Sequence, residues 1–123
     1  MTKAYLLLFV ITGALSGLAF IDPSFTEQPK QPNLRVVVTA RRFAFQPAEI
    51  TLKKGQQVDL VLKTADVAHG IRFHELNLDV KVNKGATAEV LFTPDKTGNF
   101  VGHCSVFCGS GHGSMELTIH VVE

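Results

Sequence analysis

The sequence predicts an all-β domain, a Greek-key sandwich or barrel, between Leu34 and Glu123. Three observations carry this expectation. Apolar and polar residues alternate with a period of two in several short windows, the pattern of strands with one buried face. Turn signals separate the windows: Gln46-Pro47, Lys54-Gly55, Asn83-Lys84-Gly85 and Pro94-Asp95. No window of this region shows helical periodicity. Roughly seven or eight short strands in about ninety residues fit a sandwich or a small barrel.

The strands follow in order. Leu34–Arg41 is a β-branched run. Ile50 and Leu52 alternate with Glu49, Thr51 and Lys53, and Val58, Leu60 and Leu62 with Gln57, Asp59 and Lys63. Ile71–His74, Asp79–Val82, Thr87–Phe92 and Asn99–His103 are further candidates. Last, Met115, Leu117, Ile119 and Val121 alternate with Glu116, Thr118 and His120, which puts His120 on the outward side. Phe43 and Phe45 read as edge or core residues, and Arg41-Arg42 as a solvated strand end.

Two segments precede this domain. Residues 4–21 carry no charge and follow Lys3. They read either as a secretory signal, with small residues at Gly17-Leu18-Ala19 for cleavage, or as one transmembrane anchor. As a helix the segment would span about 27 Å, just enough for the hydrocarbon core. Both readings place the rest of the chain outside the cytoplasmic membrane, periplasmic or on the outer face. Residues 22–33, DPSFTEQPKQPN, form a Pro-rich linker.

Composition excludes several functions. The net charge of the 123-residue chain is +1, and no Lys/Arg run suggests nucleic acid. Two cysteines rule out a disulfide-dense scaffold. No Ser/His/Asp set, carboxylate pair or phosphate-binding Gly loop marks an independent enzyme.

The chemistry concentrates between the last two strands. His103-Cys104-Ser105-Val106-Phe107-Cys108-Gly109-Ser110-Gly111-His112-Gly113-Ser114-Met115 contains Cys-x3-Cys-x3-His-x2-Met. Two thiolates, an imidazole and a thioether are soft ligands, which select copper, zinc or iron–sulfur over magnesium or calcium. Cys108, His112 and Met115 with an upstream His suit a mononuclear copper site. His69, followed by Gly70, sits at a suitable strand end. Cys104 is then surplus, and two bridging thiolates instead suit two coppers, with Met115 and a loop carbonyl as weak axial groups. A Cys104–Cys108 disulfide and a zinc site of His69, Cys104, Cys108 and His112 are the competing readings. The loop glycines would relax the backbone around a metal.

The loop resembles the dinuclear copper A motif of cytochrome c oxidase subunit II, also found in nitrous oxide reductase. The motif, Cys-Ser-Glu-x-Cys-Gly-x-x-His-x-x-Met with an upstream His, matches at His69, Cys104, Cys108, His112 and Met115. The resemblance runs from Phe43 to Glu123 and includes Asp66-Val67-Ala68-His69-Gly70. It implies a cupredoxin fold, two copper ions and the Val106 carbonyl as a further axial ligand. It also implies a cytochrome c-like electron donor. The acceptor would be the catalytic subunit of a haem–copper oxidase or another redox protein. Three departures stand out. Val106 occupies the position of a Glu that helps hold magnesium in many members, so no magnesium role is carried over. The chain has no Trp for an electron-accepting patch, leaving Phe107 or another exposed Phe. It has one hydrophobic segment where the usual subunit has one or two firm membrane helices. An exported soluble carrier is the nearest variant, and a copper chaperone or storage module is the rival from another class.

Overall fold

The computed structural model describes residues 33–123. The hydrophobic segment and nearly all of the linker lie outside the described residues. Nine strands follow: β1 (Leu34–Arg41), β2 (Ala44–Gln46), β3 (Glu49–Lys53), β4 (Val58–Thr64), β5 (His69–Phe73), β6 (Leu78–Val82), β7 (Thr87–Phe92), β8 (Gly98–His103) and β9 (Glu116–Val122). Among the described residues, no helix is long and apolar enough to cross a membrane.

The strands build two sheets, β2-β1-β4-β7 and β3-β9-β8-β5-β6. β1 runs parallel to β4 with Val36 opposite Leu60 and Val38 opposite Leu62. β3 runs parallel to β9 with Ile50 opposite Ile119 and Leu52 opposite Val121. A parallel pair cannot be closed by a hairpin, so the chain crosses between the sheets before each pairing. The other pairings are antiparallel.

Alternation sets what the sheets bury. Val38, Ala40, Phe45, Leu60 and Leu62 from one sheet meet Leu52, Ile71, Phe73, Leu117 and Ile119 from the other. Each large apolar side chain buried here contributes roughly 1.5–3 kcal/mol. That interlayer core fixes the strand ends, and the strand ends carry the site.

The expected strands at Leu34–Arg41, Glu49–Lys53 and Thr87–Phe92 match the observed bounds, and the others except β5 move by a residue. β2 was not expected, because Gln46-Pro47 marks a turn immediately after it. Its Phe45 pairs with Ala40 and is buried, while Phe43 stays part-exposed. β5 begins at His69 rather than Ile71, and His74 falls in the turn after it. Gly70 after His69 reads in the sequence as a position of close approach. In the fold it is a strand residue whose missing side chain admits the loop after β8: a Cβ there would collide with the Ser105 hydroxyl. A short 3₁₀ turn at His112–Ser114 completes that loop. Such turns are too short to leave a periodic signal in sequence.

Candidate metal centre

The candidate site lies where β5 begins and the loop 104–115 joins β8 to β9. His69 opens β5 on the inward face shared by Ile71 and Phe73, and its side chain is fully buried. The loop is pinned at both ends. Cys104 N–H donates to the Met115 carbonyl at 3.1 Å, and Ser105 N–H donates to the Gly70 carbonyl at 3.2 Å. Within it, His112 N–H donates to the Gly109 carbonyl, and Met115 N–H to the His112 carbonyl. Met115 therefore sits just before β9 and is completely buried.

These constraints bring the expected residues together in a row. Cys104 Sγ lies 4.0 Å from His69 Nδ1 and 3.9 Å from Cys108 Sγ. Cys108 Sγ lies 3.8 Å from His112 Nδ1 and 3.4 Å from Met115 Sδ. The Val106 carbonyl accepts from Cys104 Sγ at 3.2 Å. The thiols are free and both buried, so the disulfide reading does not hold in this structure. His69, Cys104 and Cys108 form a three-donor group whose ligand atoms lie within 4.8 Å of one another.

The spacing fits a metal. Sulfur and nitrogen ligands sit about 2.3 and 2.0–2.1 Å from a first-row ion, so two such donors on one ion stand roughly 3.5–4 Å apart. The His–Cys, Cys–Cys and Cys–His separations fall in that range, whereas a disulfide requires about 2.05 Å. Sulfur-rich donors with imidazole suit copper.

A carboxylate prepares the buried histidine. The turn before β5 is held by Thr64 Oγ1, which donates to the Val67 carbonyl, and by Val67 N–H, which donates to Asp66 Oδ1 at 2.6 Å. Asp66 Oδ1 also lies 2.7 Å from His69 Nε2, and Asp66 Oδ2 accepts from Arg42 N–H at 2.7 Å. Burial pushes the Asp66 carboxyl upward, but the hydrogen bonds from Arg42, His69 and Val67 outweigh it and hold it well below the usual carboxylate range. An ionised carboxylate only accepts, so Nε2 carries the proton and the Nδ1 lone pair is left facing Cys104. This is the device by which proteins orient a ligating imidazole.

Burial, reinforced by the neighbouring Cys104, pushes the Cys108 thiol up to about 11, against the opposing pull of the Arg42 charge. Cys108 is therefore protonated in the metal-free protein at neutral pH, and a metal must displace that proton to bind.

The other residues singled out in the sequence fall elsewhere. His103 points to the surface and lies 3.5 Å from Glu116, and His74 is exposed. His120 faces outward, as the alternation requires, with Nδ1 2.6 Å from Asn99 Oδ1. Phe107 is 78% exposed, its ring centroid 5.6 Å from that of half-buried His112. Two neighbours of the site carry little signal in the sequence. Asp66 stands three residues before His69 within the Asp66–Gly70 segment of the resemblance, which gives it no role of its own. Arg42 resembles a solvated charge, yet its Nε–H donates to the Cys108 carbonyl at 2.7 Å.

Comparison with known proteins agrees with this geometry. Residues 6–115 match the family model described as a cupredoxin-like domain. Cytochrome c oxidase subunit 2 of Thermus thermophilus is 32% identical over 103 residues, a match covering 83% of this chain and 76% of that protein. Nitrous-oxide reductase of Cupriavidus necator is 38% identical over 90 residues, covering 70% of this chain but only 14% of that protein. Among solved structures, a chain of a heme-copper terminal oxidase dimer superposes with a TM-score of 0.66 at 29% identity, covering 83% of this chain and 74% of that one. The chain belongs to the cupredoxin-like domain family and is homologous to subunit 2 of cytochrome c oxidase.

Proposed function

We propose that this chain transfers electrons through a dinuclear copper centre held by His69, Cys104, Cys108, His112 and Met115, with the Val106 carbonyl as a further weak ligand. One observation carries the reading: a thiol pair 3.9 Å apart, flanked by one imidazole nitrogen at 4.0 Å and another at 3.8 Å. Copper bound there would supply one-electron redox chemistry shared between two ions. The homology to oxidase subunit 2 supports the same assignment.

The chain's own residues give that chemistry its setting. Asp66 fixes the tautomer of His69 and aims Nδ1 at the thiols. The pinned loop and the interlayer core restrict rearrangement of the ligands, which keeps the structural cost of electron transfer small. Cys104, Cys108 and Met115 are buried and keep water from the sulfur atoms. His112, against exposed Phe107, is the side on which an electron would arrive or leave. A copper chaperone exchanges its metal and favours an accessible site, so burial of the three sulfur ligands weighs against that reading.

By homology we place the chain outside the cytoplasmic membrane. Its donor is a cytochrome c-like protein, and its acceptor a haem–copper oxidase catalytic subunit or another redox protein. The deciding experiment is copper counting with electron paramagnetic resonance on the reconstituted chain. Two coppers with hyperfine structure from one shared electron are expected. One copper with a localised spectrum would overturn the dinuclear reading and return Cys104 to a spare thiol.

A further inference from the structure

Arg42 occupies the turn between β1 and β2, remote in sequence from every candidate ligand. It nevertheless touches both segments that carry them. Its main-chain N–H donates to Asp66 Oδ2 at 2.7 Å, and Asp66 Oδ1 in turn lies 2.7 Å from His69 Nε2. Its Nε–H donates to the main-chain carbonyl of Cys108, also at 2.7 Å. The next residue, Phe43, adds a third hold. Its ring lies so close to Gly109 and Gly111 that a Cβ at those positions would stand 2.9 and 2.5 Å from it. Gly109 also has φ +139°, a backbone state that other residues rarely adopt. One turn thus grips both the segment before β5 and the candidate ligand loop after β8.

We propose that Arg42 is a positioning residue of the metal centre: it locks the His69 segment to the Cys108 loop, and its guanidinium charge raises the reduction potential of the occupied site. The proposal rests on the copper reading above. The two parts use different atoms. The bond to Asp66 comes from the main chain and survives any substitution except proline. The bond to Cys108 and the charge belong to the side chain. A guanidinium remains ionised at every accessible pH and directs its Nε–H along a fixed line, which an ammonium does not do. Among the described residues, no carboxylate forms an ion pair with this guanidinium. When the site takes one electron from a donor, its total charge falls by one. A fixed positive charge nearby favours the reduced, less positive state and so raises the potential.

The test compares wild type with Arg42→Lys, Arg42→Gln and Arg42→Met in the full chain. Copper content and the resonance spectrum of wild type come first and judge the copper reading by themselves. Redox titration against a ferricyanide/ferrocyanide mediator then reads the potential. Arg42→Gln and Arg42→Met are expected to shift the equilibrium roughly tenfold toward the oxidised form, about 59 mV for one electron, while Arg42→Lys stays within about twofold of wild type. Equal potentials in Arg42→Lys and Arg42→Gln would overturn the electrostatic claim, and that pair suffices if Arg42→Met does not fold. The metal-free proteins supply an independent readout. Amide hydrogen exchange in residues 104–115 should quicken several-fold in Arg42→Gln, with β1 and β4 unchanged. Unaltered exchange in the loop would overturn the clamp, whether or not wild type binds copper.

Discussion

Replacing Asp66 by Ala should cost this domain both stability and metal affinity. The carboxylate accepts from Val67 N–H at 2.6 Å, from Arg42 N–H at 2.7 Å and from His69 Nε2 at 2.7 Å. The His69 side chain is fully buried, so its Nε2–H would be left without an acceptor or water, at about 1–3 kcal/mol. Arg42 N–H and Val67 N–H lie nearer the surface and regain water, adding roughly 1 kcal/mol together. The total is about 2–4 kcal/mol. For a domain of this size each kcal/mol moves the melting temperature by about 4–8 °C, so metal-free Asp66→Ala should melt at least about 8 °C lower. Asp66→Asn retains one carbonyl oxygen for His69 but turns an amide N–H toward a second N–H group, and should lose roughly half as much. Copper affinity should fall about 10–100-fold in the Ala variant, the usual effect of removing the carboxylate behind a ligating imidazole. Calorimetry of the metal-free proteins and competition with a copper chelator give the two numbers. ¹⁵N chemical shifts of the ring report whether Nε2 stays protonated. A melting temperature within about 2 °C of wild type, with affinity within about threefold, would refute the assignment of tautomer control to Asp66.

Further outcomes follow from the same geometry. Cys104→Ser should bind one copper or none, with a localised resonance spectrum; two coppers and an unaltered spectrum would remove Cys104 from the ligand set. Copper at about 100 times its dissociation constant should stabilise the fold by about 2.7 kcal/mol, so equal melting temperatures with and without copper would argue against a native metal site. Asp66 and Asp79 are both held below the ordinary carboxylate range, Asp79 chiefly by the Arg72 guanidinium at 2.5 Å. The unfolded chain therefore binds protons first, and metal-free stability should be full above the unfolded-state value and decline as the pH falls below about 4. A flat acid profile in denaturant titrations would contradict these pairings. Gly70→Ala should destabilise by about 1–3 kcal/mol, because the new methyl group meets Ser105 Oγ and, at 3.1 Å, the Val80 carbonyl. Unchanged unfolding midpoints in that variant would show that the loop has room to shift.

How far the sequence went depends on how local each signal is. Alternation over Glu49–Lys53 is a property of adjacent residues, so that strand is legible without any tertiary knowledge. β2 was hidden because three residues cannot show a period, and Phe45 finds its place only by pairing with Ala40. The sequence marks Gly70 as a place of close approach, but what approaches it, Ser105 from a distant loop, only the fold shows. At the site, Cys104, Cys108, His112 and Met115 stand on one loop with a fixed spacing, and the sequence shows them as a set. His69 was reachable only because that set calls for a second imidazole. Arg42 is exposed, as a charged pair at a strand end ordinarily is, and nothing local marks its contact with the Cys108 carbonyl.

The sequence by itself determined the candidate donor set, soft sulfur and imidazole groups in one short loop, and strands with the period of a two-layer β fold. These are counted along the chain and survive without knowledge of its path. The tertiary structure decided which residues make that chemistry usable. It joined His69 to Cys104, set Asp66 behind the buried ring, and brought Arg42 and Phe43 across from the other sheet to the Cys108 loop. Those contacts depend on parallel pairings and sheet crossings between segments far apart in the chain. Local composition does not encode such separations, because long-range register is set by how two apolar faces pack against each other.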